Sequence, residues 1–170
     1  IKNLGLATGA AFITPALLSS CQSASGEAEF KYWIWVNGDN KKSIADWKIE
    51  LSGFKAAGIN GLIVGGGRAL LEKLIPIAQE LMLEVHAWLW TLNRPGDKEA
   101  MAHPDWYTVS RNGESSLDVK PYVNYYQWLC PSKPEVQEYV KKFMVSHCDI
   151  EGLSGIHLDY VRYCDVILPK

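Results

Sequence analysis

The stretch GIHLDYVRY, residues 155–163, places a histidine, an aspartate and an arginine in an otherwise apolar run. Successive side chains of a β-strand point to opposite faces, so His157 and Asp159 share one face. Three apolar side chains take the other face: Ile156, Leu158 and Tyr160. The stretch is therefore predicted to be a strand with one apolar face that packs against helices and one polar face that lies at a functional site.

Three further strands are predicted upstream, each rich in β-branched or aromatic residues. They are KYWIWVN at 31–37, GLIVGGG with its turn at 61–67, and EVHAWLW at 84–90. Apolar residues at helical spacing separate them. Ser43 is expected to cap a first helix that ends at Gly58, and a second helix follows residue 67 with Pro76 as a kink or break.

A third helix is predicted to begin at a capping box formed by Ser132, Pro134 and Glu135. Strands that alternate with helices indicate a parallel sheet, either doubly wound or a (β/α)₈ barrel. The glycine fingerprint of a dinucleotide site is missing after the first strand, and GGGR after the second is only loosely similar. We expect the N-terminal half, about four βα units, of a (β/α)₈ TIM barrel whose remaining strands lie in further sequence.

The composition narrows the class of protein. The chain has 170 residues, 48% of them hydrophobic, and a formal net charge of −2. These values suit one globular domain and give no basic field for nucleic acid, so nucleic-acid binding is not expected.

The N-terminal segment differs in character from the rest. Residues 4–18 are apolar and small, too short for an ordinary membrane span, and the run Leu18, Ser19, Ser20, Cys21 resembles a bacterial lipobox. We expect residues 1–21 to be a lipoprotein signal, 22–30 a polar tether and 31–170 the partial barrel. The expected location is the cell envelope, with Cys21 as a lipid anchor to the membrane; a buried N-terminal helix is the alternative.

Candidate site residues follow from strand alternation. In a barrel, the polar or aromatic face of each strand points inward, and enzymes of this fold place their sites at the carboxyl ends of the strands. The inward set comprises Trp33, Trp35, Asn37, His86, Trp88, Trp90, His157 and Asp159. Ordinary packing is the alternative for each tryptophan and histidine. A buried carboxylate needs compensation, and Arg162 is the nearest candidate partner of Asp159. An ion pair that serves only the structure is the alternative.

The connection from Thr91 to about Pro131 is much longer than an ordinary βα loop. Aromatic side chains alternate in it with hydrogen-bonding groups, a combination that suits the apolar faces and hydroxyl rim of a sugar. Trp106 and Tyr126 are the expected sugar contacts. A self-packed loop with its own aromatic core is the alternative.

Three motifs in order, HPDWY at 103–107, LCPSKPEVQEYV at 129–140 and GIHLDYVRY, follow the lipobox. Together with VHAWLW they resemble the family-10-like glycosyl hydrolases of bacterial envelopes. The resemblance implies a barrel hydrolase that acts on glycans, with Asp159 in its site. The position of Asp159 is also similar to that of the fourth-strand nucleophile in the α-amylase clan.

Glycosidases use two carboxyl groups, one as an acid and one as a nucleophile or base. Asp159 is expected to be one of them, with Arg162 holding it ionised, and the analogy places its partner beyond Lys170. This fragment alone should then be inactive, and no cofactor is expected. Four carboxylates of the long loop are substitutes for the missing partner: Asp97, Asp105, Glu114 and Asp118.

Two other classes of function remain open at this stage. A non-catalytic glycan-binding lipoprotein would use the same aromatic face without an acid. A metal-dependent hydrolase would need His86, His157 and Asp159 as ligands, but His-x-His and HExxH signatures are absent from the sequence. No metal is therefore predicted.

Overall fold

A computed structural model describes residues 30–164 of the chain. Its centre is a four-stranded sheet of β1 (Trp33–Val36), β2 (Gly61–Val64), β3 (Glu84–Trp90) and β4 (Gly155–Asp159). Each strand pairs in parallel with the next, in the order β1-β2-β3-β4. Doubly wound sheets reverse their strand order, whereas barrels keep neighbours in chain order, so the observed order is that of a barrel.

The helices are α1 (Ile44–Ala56), α2 (Arg68–Glu80), the single turn α3 (Lys98–Met101) and α4 (Pro134–Cys148), with a 3₁₀ turn at Pro104–Trp106. Among residues 30–164, no helix is both long and apolar enough to span a bilayer. The predicted signal segment with Cys21, and the tether up to residue 29, lie outside the described residues.

The start of α1 agrees with the prediction, because the Ser43 side chain accepts a hydrogen bond from the amide of Asp46. The prediction at Pro76 was a kink or a break of the helix, and the break is wrong. Pro76 lies inside α2, which continues to Glu80. Buried residues on both sides of the proline, among them Leu74 and Ile77, pack against the sheet and offset the cost of the missing hydrogen bond.

The predicted capping box of the third helix is also wrong. Lys133 is the N-cap of α4 and its side chain makes no capping bond. The first residue of the helix, Pro134, has no N–H group. The helix therefore begins with one backbone donor fewer that would need a partner. Ser132 lies one residue too early to cap, and its Oγ is 2.8 Å from the hydroxyl of Tyr163.

The fourth strand is shorter than GIHLDYVRY. It ends at Asp159, because Tyr160 has a φ of 54° and turns the chain out of the extended conformation. The amide of Thr91 donates to the carbonyl of Asp159 at 2.9 Å, just beyond the last paired residues of β3 and β4. Asp159 therefore sits at the carboxyl edge of the sheet.

The main core lies between the sheet and the helices α1 and α2. Fully buried side chains from both layers fill it: Trp47, Leu51, Leu62, Val64, Leu70, Leu74, Val85 and Ala87. A second core joins the long loop to α4 through Trp106, Tyr107, Tyr126, Trp128, Leu129, Val136 and Tyr139. The loop after β3 thus has the aromatic core of its own that the sequence left as an alternative.

Candidate functional site

The alternation of β3 separates a packing face from an open face. Val85, Ala87 and Leu89 are buried, whereas the residues between them are half-buried. The aromatic face, as we name it, consists of the open-side rings of three strands: Trp33, Trp35, His86, Trp88, Trp90 and His157. This is the face that the sequence predicts to point inward.

Ring contacts hold the aromatic face together. Trp35 lies edge-on to both Trp88 and His157, with ring centroids 4.8 Å apart in each pair. Trp33 and His86 form a tilted pair at 4.4 Å. Rings of β1 therefore contact rings of β3 and β4 across the open side of the sheet.

Asp159 stands at the edge of this face with both carboxylate oxygens engaged. The indole Nε1 of Trp88 donates to Oδ2 at 3.0 Å, and the amide of Tyr160 donates to Oδ1 at 2.6 Å. Trp90 is its register partner on β3. Two donors directed at the carboxylate suit its ionised form, which only accepts hydrogen bonds.

Arg162, the expected partner of Asp159, contacts Trp128 and Tyr163. Its guanidinium lies over the ring of Trp128, 4.9 Å from the centroid, and its Nη1 donates to the carbonyl of Tyr163 at 3.2 Å. The turn at Tyr160 directs this part of the chain toward the long loop. The catalytic role of Arg162 stays a prediction.

The protonation state of His86 follows from its partial burial beside the ring of Trp33. Burial lowers the pKa of His86 below 6.5, and the neighbouring His157 adds to the effect, while Glu84 opposes it. His86 is therefore neutral near pH 7. A neutral imidazole offers one donor and one acceptor, as a sugar hydroxyl requires.

Three glycines that sequence reasoning assigned no site role make room for the rings. A Cβ on Gly61 would lie 2.6 Å from Cδ2 of Trp33, and one on Gly155 would lie 2.9 Å from Nε2 of His86. A Cβ on Gly65 would lie 3.1 Å from the ring of Trp88. The sequence contains a pattern that could have revealed this role: Gly61 and Gly65 lie an even number of residues apart in β2 and the turn after it, so both occupy open-face positions.

A cavity of about 290 Å³ opens at the carboxyl ends of β1, β2 and β3. It brings the predicted residues Asn37, Trp88 and Trp90 together beside Gly65. Tyr125 of the long loop, which was not predicted as a site residue, approaches Trp90 with ring centroids 5.8 Å apart. The cavity therefore has aromatic walls and an amide at its rim.

The two sugar contacts predicted in the long loop lie within its own core. Trp106 stacks on His103 at 4.1 Å and is only 9% exposed. Tyr126 is 5% exposed and packs edge-on to Trp128 and Tyr125, each at 5.2 Å. Burial among neighbouring rings explains this placement, and direct sugar contact by either residue stays a prediction.

Two carboxylates of the long loop, Asp97 and Asp105, have structural contacts. Burial alone would raise the pKa of Asp97, but hydrogen bonds from Tyr139, the amide of Ala100 and Arg94 together lower it. A carboxyl group with a lowered pKa is a poor general acid. Asp105 lies 4.0 Å from Lys133 and is largely exposed.

Within residues 30–164, no group of three or more histidines, cysteines or carboxylates is placed to hold a metal ion. The trio His86, His157 and Asp159 is thus not assembled as a metal site in the described part of the chain.

Several solved structures share this architecture, among them an α-amylase, an α-galactosidase and a glycoside hydrolase domain. An α-amylase from Lactobacillus plantarum is 16% identical with a TM-score of 0.56, over 78% of this chain and 38% of its own. An α-galactosidase from Thermus thermophilus is 13% identical with a TM-score of 0.55, over 76% and 31%. The glycoside hydrolase domain of PelA from Pseudomonas aeruginosa is 14% identical with a TM-score of 0.51, over 76% and 44%.

No protein-family model and no curated protein sequence matches the chain. The chain spans less than half the length of the solved structures described above. At these identities the likeness is one of fold. The described residues have the fold of half of a (β/α)₈ barrel.

Proposed function

We propose that this chain is the part of a glycoside hydrolase that supplies one of its two catalytic carboxylates, Asp159. The observation that carries the proposal is the position of Asp159: it ends β4 at the carboxyl edge of the sheet, beside the aromatic face, with Trp88 donating to it at 3.0 Å. The substrate class is a poly- or oligosaccharide.

The chemistry of the aromatic face supports a sugar ligand. Indole rings offer flat apolar surfaces for the C–H faces of a pyranose, and polar side chains such as Asn37 and His86 offer hydrogen bonds to hydroxyl groups. The similarity of fold to an α-amylase and to α-galactosidases supports the same substrate class. The motif resemblance to family-10-like glycosyl hydrolases of bacterial envelopes supports the finer assignment.

In this proposal Asp159 acts as the nucleophile or activates a water molecule. The second carboxyl group then lies about 5–5.5 Å from Asp159 for a retaining reaction, or about 6.5–9.5 Å for an inverting one. Asp97 does not suit the acid role, since its hydrogen bonds to Tyr139 and Arg94 hold it in the loop and lower its pKa. We assign the acid to a later strand of the longer protein.

We further propose that the protein is exported and lipid-anchored in the cell envelope through Cys21, with residues 22–30 as the tether. The support is the lipobox-like run from Leu18 to Cys21. Mass spectrometry of the membrane-bound protein should find a lipid on Cys21. A mature chain that begins elsewhere contradicts the anchor.

The test of the function is a polysaccharide panel with the full-length protein. Release of reducing ends from one glycan, together with binding of that glycan, supports a hydrolase. Binding without release under all conditions supports the rival, a non-catalytic glycan-binding lipoprotein. Failure to bind any polysaccharide contradicts both.

A further inference from the structure

A second cavity lies away from Asp159, between the long loop and the chain after β4. The loop groove, as we name it, has a volume of about 560 Å³ and is lined by Val109, Glu114, Lys120, Tyr122, Tyr163 and Cys164 among others. It is roughly twice the size of the cavity beside Trp88. Its volume falls in the range of about 300–1,000 Å³ that ligand sites occupy.

The walls of the loop groove are apolar and exposed, with charged groups at the rim. Val109 is 63% exposed, Tyr122 50% and Tyr163 60%. The hydroxyl of Tyr163 lies 2.8 Å from Ser132 Oγ, a contact that ties this ring to the start of α4. Glu114 and Lys120 add a carboxylate and an ammonium group. Flat rings with hydrogen-bonding groups around them are the surface that pyranose rings bind.

A row of rings connects the loop groove to the aromatic face. Trp90 lies 5.8 Å from Tyr125, which lies 5.2 Å from Tyr126, which in turn lies 5.7 Å from Tyr122. Trp90 is the register partner of Asp159, and Tyr122 lines the groove. Tyr126 is buried and links the rings of Tyr125 and Tyr122, which are 43% and 50% exposed. These two exposed rings are the surface that a linear glycan would contact between Trp90 and the loop groove.

We infer that the loop groove is a distal subsite that binds sugar units of an oligosaccharide several residues away from the bond cleaved at Asp159. This inference rests on the proposed function and refines its substrate class, from any glycan to a linear chain long enough to reach Tyr122. A monosaccharide or disaccharide held beside Trp90 does not reach the groove.

The test compares short and long ligands by isothermal titration calorimetry on the full chain. The probes are disaccharides and hexasaccharides of the cello, malto and chito series. In the series that binds, the hexasaccharide should bind at least about tenfold more tightly than the disaccharide. Tyr122→Ala and Tyr163→Ala should each weaken hexasaccharide binding by about three- to tenfold, while leaving disaccharide binding unchanged.

The matched control is Tyr32→Ala. Tyr32 is 59% exposed and precedes β1, at the opposite edge of the sheet from the loop groove. Its removal should leave both affinities unchanged, and Trp90→Ala should weaken both. Thermal melting of each variant verifies the fold; Tyr122 and Tyr163 are exposed enough for truncation to be tolerated.

The outcomes separate this inference from the proposed function. If Trp90→Ala weakens binding but Tyr122→Ala and Tyr163→Ala leave the hexasaccharide affinity intact, the distal subsite is overturned and the glycan site stands. Tyr122→Ala also overturns the distal subsite if it lowers the melting temperature strongly while the hexasaccharide still binds more tightly than the disaccharide by the wild-type factor. The groove then serves packing. If no series binds and no polysaccharide of the panel binds either, the proposed function fails and the distal subsite fails with it.

Discussion

The substitution Gly61→Ala tests how the aromatic face is built. Gly61 opens β2 opposite Trp33 of β1 in the parallel register. An alanine Cβ would lie 2.6 Å from Cδ2 of Trp33 and closer still to two other atoms of the ring. The benzene half of an indole cannot bend away, so the whole ring must leave its place against His86, where the centroids are now 4.4 Å apart.

Overpacking of this kind costs about 1–3 kcal/mol. For a domain of this size, about 2–4 °C of melting temperature corresponds to each kcal/mol, so Gly61→Ala should lower the midpoint by about 2–12 °C. The matched control is Gly53→Ala in α1, where nothing lies within 4 Å of the added Cβ. That change should stabilise the protein by about 0.5–1 kcal/mol, since alanine is favoured over glycine within a helix.

Differential scanning calorimetry of the two variants measures both effects. A third variant, Trp33→Ala, removes the ring that Gly61 accommodates, and in that background Gly61→Ala should lose most of its cost. A rise in melting temperature for Gly61→Ala similar to that for Gly53→Ala would refute the steric account of the aromatic face. An equal cost of Gly61→Ala with and without the Trp33 ring would refute it as well.

Three further predictions concern caps and titrating groups. Ser43→Ala should destabilise the protein by about 1 kcal/mol because Ser43 caps α1. Ser132→Ala should change the stability by less than about 0.5 kcal/mol because Ser132 does not cap α4. Equal losses of unfolding free energy for the two variants in urea denaturation would contradict this. Asp97→Asn should cost about 3 kcal/mol, because it leaves the side chain of Arg94, only 14% exposed, without its carboxylate. The stabilisation by Asp97 is present above the ordinary pKa of 3.8 and is lost as the pH falls through the lowered folded value, so the loss caused by Asp97→Asn should shrink in denaturation at acid pH. His86 should titrate below pH 6.5 by NMR, and since the unfolded chain then binds the proton more readily, stability should rise with pH up to about 6.5 and level off; a midpoint above 6.5 contradicts the burial argument.

The sequence predicts the βα order and the two faces of β3 well, because the period of apolar residues reports which side of a strand meets the helices. The faces of β4 are predicted less well, since Leu158, which was assigned to the packing face, is 38% exposed. In β3 the buried residues Val85, Ala87 and Leu89 alternate with half-buried ones as the pattern requires. The grouping of Trp35, Trp88 and His157 follows from that alternation once the sheet is parallel and in chain order.

Contacts between distant segments were harder to predict. Nothing local to Ser132 reveals that its hydroxyl lies beside Tyr163, thirty-one residues later. The same limit applies to Asp159. Its carboxylate accepts hydrogen bonds from the indole of Trp88 on the neighbouring strand and from the amide of Tyr160. Proximity in the sequence had favoured Arg162 as its partner. The role of Gly65 beside Trp88 likewise depends on which strand lies next to which.

The central claim, that Asp159 is a catalytic carboxylate of a glycosidase, is tested most directly by kinetics and binding on Asp159→Asn in the full-length protein. Glu135→Gln, on the exposed side of α4, is the control. With the glycan that the wild type cleaves, Asp159→Asn should abolish turnover and keep the dissociation constant close to that of the wild type, while Glu135→Gln should keep both. Turnover by Asp159→Asn at the wild-type rate would contradict the account.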